Sequence, residues 1–235
     1  MQGLSQKPIV MVYESAKMPL RVGVPRFFGL SHFGGFVDHG PSGFPNTESF
    51  VDRRNDGHPP QACHFTKSLR PLQTQCVTQA LDSLSKWGGT TLIADCGFGK
   101  TATSIAIACA LGKRCMILCN REILMRQWID AIRQFSDALA IGWIQGSAFD
   151  KGPEGTVRPR DTAFETCFFS VASIESIAEC NYDKAFLASF GTIVVDEMHH
   201  IAAQSLVHVL PMFPARNIVG LTATPNRADG LEHIL

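Results

Sequence analysis

The sequence lacks the features of membrane and secreted proteins. No stretch approaches the ~20 uninterrupted apolar residues that a membrane-spanning helix needs. The N-terminus, MQGLSQKPIVMVYESAK, has no basic start followed by a long apolar run, as a secretory signal does. We therefore expect no membrane partner and an intracellular location, cytoplasmic or nuclear. A viral source is compatible with either.

The sequence also lacks an excess of charge, because 21 basic residues balance 21 acidic ones. A protein that coats nucleic acid along its whole surface is strongly basic, so this class is excluded. A local groove that follows a nucleic-acid backbone remains compatible with zero net charge. With 235 residues, 45% of them hydrophobic, the chain can form one large α/β domain with an appendage.

The eight cysteines include no C-x-x-C pair and no paired metal-ligand spacing. Several lie in apolar runs such as ACALGKRCMILC, where cysteine behaves as a small buried side chain. This pattern predicts reduced thiols. Cys63 and His64 are adjacent, as in half of a zinc site, but no partner pair is present, so we expect no metal site there.

Proline and glycine divide the chain near residue 66. Residues 1–66 hold seven of the thirteen prolines and eight of the twenty glycines, and they show no helical periodicity. The stretch VPRFFGLSHFGGF is too aromatic for a disordered linker, so part of this segment is expected to pack. We interpret 1–66 as an irregular N-terminal extension and 67–235 as the main domain.

Apolar strands alternate with helices from Leu69 onward, and 147–161 is predicted to be a loop. Such strands, separated by helices, indicate a parallel sheet covered on both faces. The fold class is therefore α/β, a doubly wound parallel sheet whose ligands bind at the carboxyl ends of the strands. The predicted strands are 90–94, 114–119, 138–146, 166–173, 191–197 and 216–224, and the predicted helices are 74–85, 102–110, 121–135 and 183–188.

The segment ADCGFGKT (94–101) stands where a predicted strand passes into a predicted helix. A loop at this place directs free backbone N–H groups and the positive helix end at one point. Gly97 and Gly99 let the backbone curl around an anion without a Cβ in the way. Lys100 can reach the β- and γ-phosphates of a nucleotide, and Thr101 can join the shell of a magnesium ion.

The segment TIVVDEMHH (192–200) places Asp196 and Glu197 at the end of another predicted strand. In a phosphate-loop protein, a carboxylate here completes the magnesium shell. A second carboxylate beside it can polarise an attacking water as general base. A kinase that transfers phosphate to a bound substrate does not need this second acid, so the pair favours hydrolysis.

Three segments together resemble motifs I, II and III of the superfamily 2 helicases and translocases: ADCGFGKT, DEMH and GLTATPNRADG. LRPLQTQ (69–75) is similar to the adenine-reading segment of that family, and CNREILMRQW (119–128) to its motif Ia. CNRE departs from the more usual proline-threonine. The form TATPNRADG is closer to helicases of DNA repair, transcription, phages and large DNA viruses than to RNA helicases of the DEAD type. The resemblance implies a RecA-like P-loop NTPase fold.

The resemblance implies roles for individual residues, with ATP and Mg²⁺ as cofactors. Gln73 would read adenine, supported by Arg70, while Asp196 would hold magnesium and Glu197 the water. The residues implied in phosphate and metal binding are Cys96, Gly97, Phe98, Gly99, Lys100, Thr101 and Ala102. His199 would link this site to motif III, where Thr222 and Thr224 relay its state.

The resemblance also implies a track for nucleic acid, with DNA favoured over RNA. IGWIQG (141–146) and SVASIES (170–176) fall where the family has further nucleic-acid-facing segments. Candidates for phosphate contacts without sequence information are Arg121, Gly146 and Ser173. The side chains of Trp128, Phe168 and Phe169 are expected in the core.

In this family a second RecA-like domain follows in the full-length chain. It supplies an arginine finger that is worth about 10³–10⁵ in rate in related enzymes. We expect the full-length protein to be an ATP-driven motor on nucleic acid. The chain ends soon after motif III, at LEHIL, so this piece alone is expected to bind ATP–Mg weakly and to hydrolyse it slowly or not at all. Two alternatives stay open: a nucleotide-controlled binding module without motor activity, and a duplex translocase that does not unwind.

Overall fold

The computed structural model describes residues 13–15, 18–23, 54–58, 61–146, 152–180, 182–198 and 208–223. The chain divides into two compact units, one of Met1–Arg53 with Leu231–Leu235 and one of Arg54–Gly230. In the first unit, strand β1 (Tyr13–Ser15) pairs antiparallel with strand β2 (Met18–Gly23). The second unit begins upstream of the boundary expected at residue 66, so residues 54–65 belong to it.

The second unit alternates helices with strands along the chain. Short 3₁₀ helices cover Thr162–Thr166 and Leu210–Met212. The regular elements are α1 (Pro71–Trp87), β3 (Gly89–Ile93), α2 (Lys100–Leu111), β4 (Cys115–Cys119), α3 (Glu122–Phe135), β5 (Ile141–Ile144), β6 (Thr156–Val157), β7 (Phe169–Ser173), α4 (Ile174–Glu179), α5 (Lys184–Ala188), β8 (Thr192–Val195) and β9 (Asn217–Thr222).

The strands form one seven-stranded sheet in the order β3-β9-β8-β4-β7-β5-β6. Every pairing in it is parallel, which confirms the predicted doubly wound α/β architecture. Because the sheet is parallel, the carboxyl ends of all its strands lie along one edge. We call this edge the carboxyl edge.

The central strand β4 shows why the apolar runs become strands. All five of its residues, CMILC, are buried, since helices or loops cover both faces of the sheet. A hydrophobic core cluster joins Ile117 of β4 and Val194 of β8 with Ile105 of α2 and Ile129 of α3. Phe168 and Phe169 are 3% and 0% exposed, as expected for core residues.

Local sequence signals set the ends of α1. Pro71 occupies the first turn, where its missing N–H is no loss, and Gly88 ends the helix in the left-handed conformation with φ 73°. The helix is therefore longer at both ends than the predicted 74–85. The prediction of a continuous loop at 147–161 is wrong at Thr156–Val157, which pairs with β5 and extends the sheet.

Residues 54–58 and 61–65 pack on the sheet through several contacts. Asn55 forms a parallel bridge with Ala215, and Phe65 forms an antiparallel bridge with Ser136. The ring of Phe65 stacks on that of Phe135, with centroids 6.0 Å apart. This segment thus adds side chains to the core, although the sequence pattern there is irregular.

None of the helices in the described residues is both long and apolar enough to cross a membrane. All eight cysteines are free thiols. Among the same described residues, no cluster of three or more His, Cys, Asp or Glu side chains has the arrangement of a metal site.

Candidate nucleotide and nucleic-acid site

The phosphate loop connects β3 to α2 at the carboxyl edge. Gly97 and Gly99 have φ of 85° and 91°, which side chains with a Cβ rarely adopt. Gly99 is the N-cap of α2 and Lys100 its first residue, so the positive helix end opens at this loop. The Lys100 ammonium donates to the carbonyl of Ala94 at 2.7 Å, and that of Asp95 lies at 3.4 Å.

Arg70 and Gln73, at the start of α1, are both bonded to the phosphate loop. The Gln73 amide Nε2 donates to the carbonyl of Phe98 at 2.9 Å, and its Oε1 accepts from the backbone N–H of Arg70 at 2.9 Å. The Arg70 guanidinium donates to the carbonyls of Phe98 and, at 3.3 Å, of Gly97. The two residues expected to form the adenine pocket therefore lie against the loop expected to hold the phosphates.

Asp196 follows β8 at the same edge, and β9 alone separates β8 from β3. Burial raises the pKa of Asp196 above its ordinary value, and the neighbouring Glu197 carboxylate adds to this effect. The hydrogen bond from the Trp128 indole and the positive charge of Lys100 both oppose it. The raised pKa of Asp196 therefore comes mainly from its burial.

Glu197 has a left-handed backbone, with φ 47°, which is uncommon for a residue with a side chain. The backbone N–H of the preceding residue, Asp196, still donates to the carbonyl of Leu118 on β4 at 3.0 Å, as in the sheet. The strand therefore turns sharply between the two carboxylates. Strained backbone of this kind concentrates at functional sites.

The first three residues of motif III, Gly220–Thr222, end β9, which lies between the strands that lead into the other two motifs. The carbonyl of Thr222 accepts from the N–H of Ala94 at 3.2 Å, which joins motif III directly to the phosphate loop. A Cβ on Gly220 would stand 2.4 Å from the sulfur of Met198, so motifs II and III are in close contact. His199 and Thr224, the other two residues expected in this relay, lie outside the described residues.

The three nucleic-acid candidates lie on the other half of the carboxyl edge, after the neighbouring strands β4, β7 and β5. Arg121 is the N-cap of α3, and Ser173 is the N-cap of α4. The hydroxyl of Ser176 accepts from the backbone N–H of Gly146 at 2.7 Å. The backbone N–H of Ser176 reaches the Ser173 hydroxyl at 3.5 Å, so Gly146 and Ser173 are linked through one side chain. Arg121 follows the strand beside them.

The loop and its neighbours fit a magnesium-bound nucleoside triphosphate. A Cβ built on Gly97 would meet no described atom within 4 Å, so open space adjoins the loop. Lys100 and the N-terminus of α2 suit phosphate oxygens, while Thr101 and Asp196 supply the oxygen ligands that magnesium prefers. This donor set has the chemistry that the phosphates and their ion require.

Sequence reasoning missed one contact of this site. Trp128 is 2% exposed, which confirms its predicted core position. Its indole N–H also donates to Oδ2 of Asp196 at 2.8 Å. The helical stripe of 121–135 predicts burial of this ring, but no local pattern indicates which residue the N–H reaches.

The fold and this arrangement define a P-loop NTPase domain of the RecA-like type. The sequence profile of the ResIII family, described as Type III restriction enzyme, res subunit, matches residues 66–227. The chain therefore belongs to this helicase family, within superfamily 2. This membership confirms the family resemblance.

The chain is similar to protein L396 of Acanthamoeba polyphaga mimivirus, a protein named as an ATP-dependent RNA helicase. The two sequences are 27% identical over a region that covers 91% of this chain and 36% of L396. The chain is 29% identical to the Danio rerio helicase/translocase subunit XPB of general transcription and DNA repair factor IIH, over 70% of this chain and 21% of XPB. The chain thus spans about a third or less of the length of these two relatives.

Among solved structures, the chain is similar to the Sulfolobus solfataricus SWI2/SNF2 ATPase core in complex with dsDNA. The TM-score is 0.57 at 19% identity, and the match covers 75% of this chain and 37% of that one. At this level of identity the likeness concerns the fold. It agrees with the seven-stranded parallel sheet described above.

Proposed function

We propose that this chain is the ATP-binding half of an ATP-dependent helicase or translocase that acts on nucleic acid, with DNA favoured over RNA. In this proposal, residues 67–235 form the first RecA-like domain and 1–66 an N-terminal extension, whose part from Arg54 onward belongs to the same compact unit as the sheet. A second RecA-like domain belongs to the same full-length protein. ATP hydrolysis would drive movement of the full-length protein along the nucleic acid.

The observation that carries the proposal is the shared position of Lys100 and Asp196 at the carboxyl edge. Lys100 follows β3 and Asp196 follows β8, and only β9 separates these two strands. A cation and a buried carboxylate at one site suit a ligand that contains both phosphate and a metal ion. This pairing supports ATP with Mg²⁺ as the ligand.

The chain's own residues have distinct tasks in this proposal. Lys100 and the backbone of residues 96–102 bind the phosphates, and Thr101 and Asp196 hold the ion. Bound magnesium would neutralise charge on the phosphate oxygens. Glu197 orients the attacking water and accepts its proton. Gln73 and Arg70, which lie beside the loop, bind the base.

Nucleic acid would lie across the other half of the carboxyl edge. Arg121 supplies a positive charge there, and the backbone around Gly146 and Ser173 offers polar groups. Such contacts position a phosphate backbone without reading its sequence. The names of the relatives point both ways, because one describes an RNA helicase and the other a transcription and DNA repair factor. The motif form TATPNRADG favours DNA.

The experiment is a steady-state ATPase measurement on the full-length protein, with single-stranded DNA, duplex DNA, RNA or no nucleic acid. Glu197→Gln serves as the hydrolysis-deficient variant. The proposal predicts hydrolysis that rises with DNA and is lost in the variant. Hydrolysis that is indifferent to every nucleic acid would contradict a motor and favour a nucleotide-controlled binding module. Unwinding and translocation assays on the same protein then separate helicases from duplex translocases that do not unwind.

A further inference from the structure

Trp128 occupies the second turn of α3, on the face that packs against the sheet. Its neighbours on this face, Met125, Ile129 and Ile132, are fully buried apolar side chains. Packing alone at this position would be satisfied by any large apolar residue. An indole adds one polar group, and a buried indole N–H usually has a hydrogen-bond acceptor.

The acceptor of this N–H is the carboxylate expected to bind magnesium. The distance from Nε1 to Oδ2 of Asp196 is 2.8 Å, which is within the normal range for an N–H···O hydrogen bond. The bond engages Oδ2 of the carboxylate, and the backbone N–H of Glu197 donates a further hydrogen bond to the same carboxylate. The indole bond also fixes the side-chain torsions of Asp196, since Trp128 is itself held rigidly by the core.

A second buried tryptophan shows that this bond is not a default of the fold. Trp143, on β5, is 1% exposed, and its Nε1 has no hydrogen-bond partner among the described residues. Within the described part of the chain, one buried indole N–H thus has no acceptor, whereas the other donates to Asp196. Trp143 provides a matched control for substitutions at Trp128.

We propose that Trp128 is a positioning residue whose indole N–H holds the Asp196 carboxylate in the orientation that binds the magnesium ion of the nucleotide. This inference rests on the proposed function, because it assigns a partner to the metal ligand of the same site. Hydrogen-bond partners of metal ligands typically change metal affinity by about 10- to 100-fold when they are removed.

The test measures the dissociation constant of a fluorescent ADP analogue with and without Mg²⁺. The 235-residue chain is compared with Trp128→Phe, with Trp143→Phe, and with a protein that carries 3-benzothienylalanine at position 128. The benzothienyl ring keeps the shape of indole but lacks the N–H, so packing is retained even if Trp128→Phe folds poorly.

The inference predicts that the benzothienyl protein loses about tenfold or more of the affinity gain that Mg²⁺ confers. Its affinity without Mg²⁺ should equal that of the wild type, and Trp143→Phe should behave as the wild type throughout. A benzothienyl protein with the full Mg²⁺-dependent gain would overturn the inference while leaving the proposed function intact. A wild type that binds no nucleotide would overturn the proposed function, and the inference with it.

A measurement on the wild-type protein needs no substitution that perturbs the core. The indole ¹H–¹⁵N resonance of Trp128, assigned by comparison with the variants, should shift when Mg²⁺ is added to the ADP-bound protein. The Trp143 resonance should stay in place. An unchanged Trp128 resonance, under conditions where Mg²⁺ binding is shown by the affinity change, would overturn the inference.

Discussion

A Cβ on Gly99 would stand 2.5 Å from the Nε2 atom of Gln73, closer than two such atoms can approach. The same Nε2 donates to the carbonyl of Phe98 at 2.9 Å. The start of α1 therefore touches the phosphate loop without a gap. Gly99 is required at this point for its backbone conformation and also for the space beside it.

Substitution of Gly99 and Gly97 by alanine separates these two requirements. Both residues have positive φ, so each substitution should lose about 1–2 kcal/mol of unfolding free energy through backbone strain. Only Gly99→Ala also pushes a methyl group into Gln73, so it should destabilise the protein more than Gly97→Ala. Urea denaturation of both variants measures the difference. Equal losses would show that the Gln73 side chain moves away from the added methyl group at no cost in stability.

Gln73→Ala should destabilise the protein even without nucleotide. The substitution removes the acceptor for the Arg70 N–H at the start of α1 and the donor to Phe98 in the phosphate loop. Loss of such a capping bond typically costs about 1 kcal/mol. Gln75→Ala, at an exposed position of the same helix, is the control and should change stability little. If Gln73 also reads the base, its variant should bind ATP and GTP with more similar affinities.

Arg114 stabilises the opposite edge of the sheet. Although it is only 2% exposed, it donates to the carbonyls of Phe164 and Cys167 and to the Ser189 hydroxyl at 2.7, 3.1 and 3.0 Å. Burial lowers its pKa from the ordinary value. Arg114→Met leaves these acceptors unsatisfied and should lower the unfolding free energy by about 3 kcal/mol.

The control for Arg114 is Lys86→Met. Lys86 forms an i,i+4 ion pair with Asp82, and both side chains are about 60% exposed, at 59% and 60%. Such pairs contribute roughly 0.5 kcal/mol. The losses of unfolding free energy in the two variants, measured by thermal or chemical unfolding, should therefore differ severalfold. A loss at Arg114 as small as that at Lys86 would mean that its three hydrogen bonds contribute no net stability.

The ion pairs of Asp56 should make the stability of the protein depend on pH. It accepts from Lys113 and Arg216, each at 2.9 Å, and the hydrogen bond from Lys113 is the largest cause of its lowered pKa. A lowered pKa gives stability that is present above the ordinary value of 3.8 and is lost as pH falls through the lowered value. The unfolding free energies of wild type and Asp56→Asn should therefore differ most at neutral pH and converge below pH 3.8.

Asp130→Asn is the control for this pH dependence. The Asp130 side chain is 81% exposed and lies 4.0 Å from Arg133. Its variant should follow the wild type at all pH values. A difference for Asp56→Asn that stays constant down to pH 2 would contradict the proposed role of its charge.

The sheet is largely predictable from the sequence because its strands are covered on both faces. CMILC of β4 is apolar throughout and TIVV of β8 is β-branched throughout, so both can be recognised as strands from the local sequence. Thr156–Val157 carries no such signal, since these two residues become a strand only by pairing with β5. Residues 54–65 likewise gain their structure from contacts with distant residues such as Ala215 and Ser136.

The candidate site also has parts that the local sequence predicts and parts that depend on distant contacts. The phosphate loop is predictable because its glycines, lysine and threonine are fixed within ADCGFGKT. The bond from Trp128 to Asp196 joins residues that are 68 positions apart, so it depends on how α3 packs on the sheet. The roles of Lys100, Asp196 and the nucleic-acid candidates stay predictions from the sequence, supported by their common position at the carboxyl edge.

The central claim is that Lys100 and Asp196 bind one magnesium nucleotide together. Titration calorimetry with a non-hydrolysable ATP analogue and Mg²⁺ tests it on wild type, Lys100→Ala, Asp196→Asn and the double variant. Substitutions at two residues that bind the same ligand have effects that do not add. The double variant should therefore bind the nucleotide only slightly more weakly than the single variant with the lower affinity. Binding that is unaffected by either substitution, or losses that add in full, would contradict a shared site.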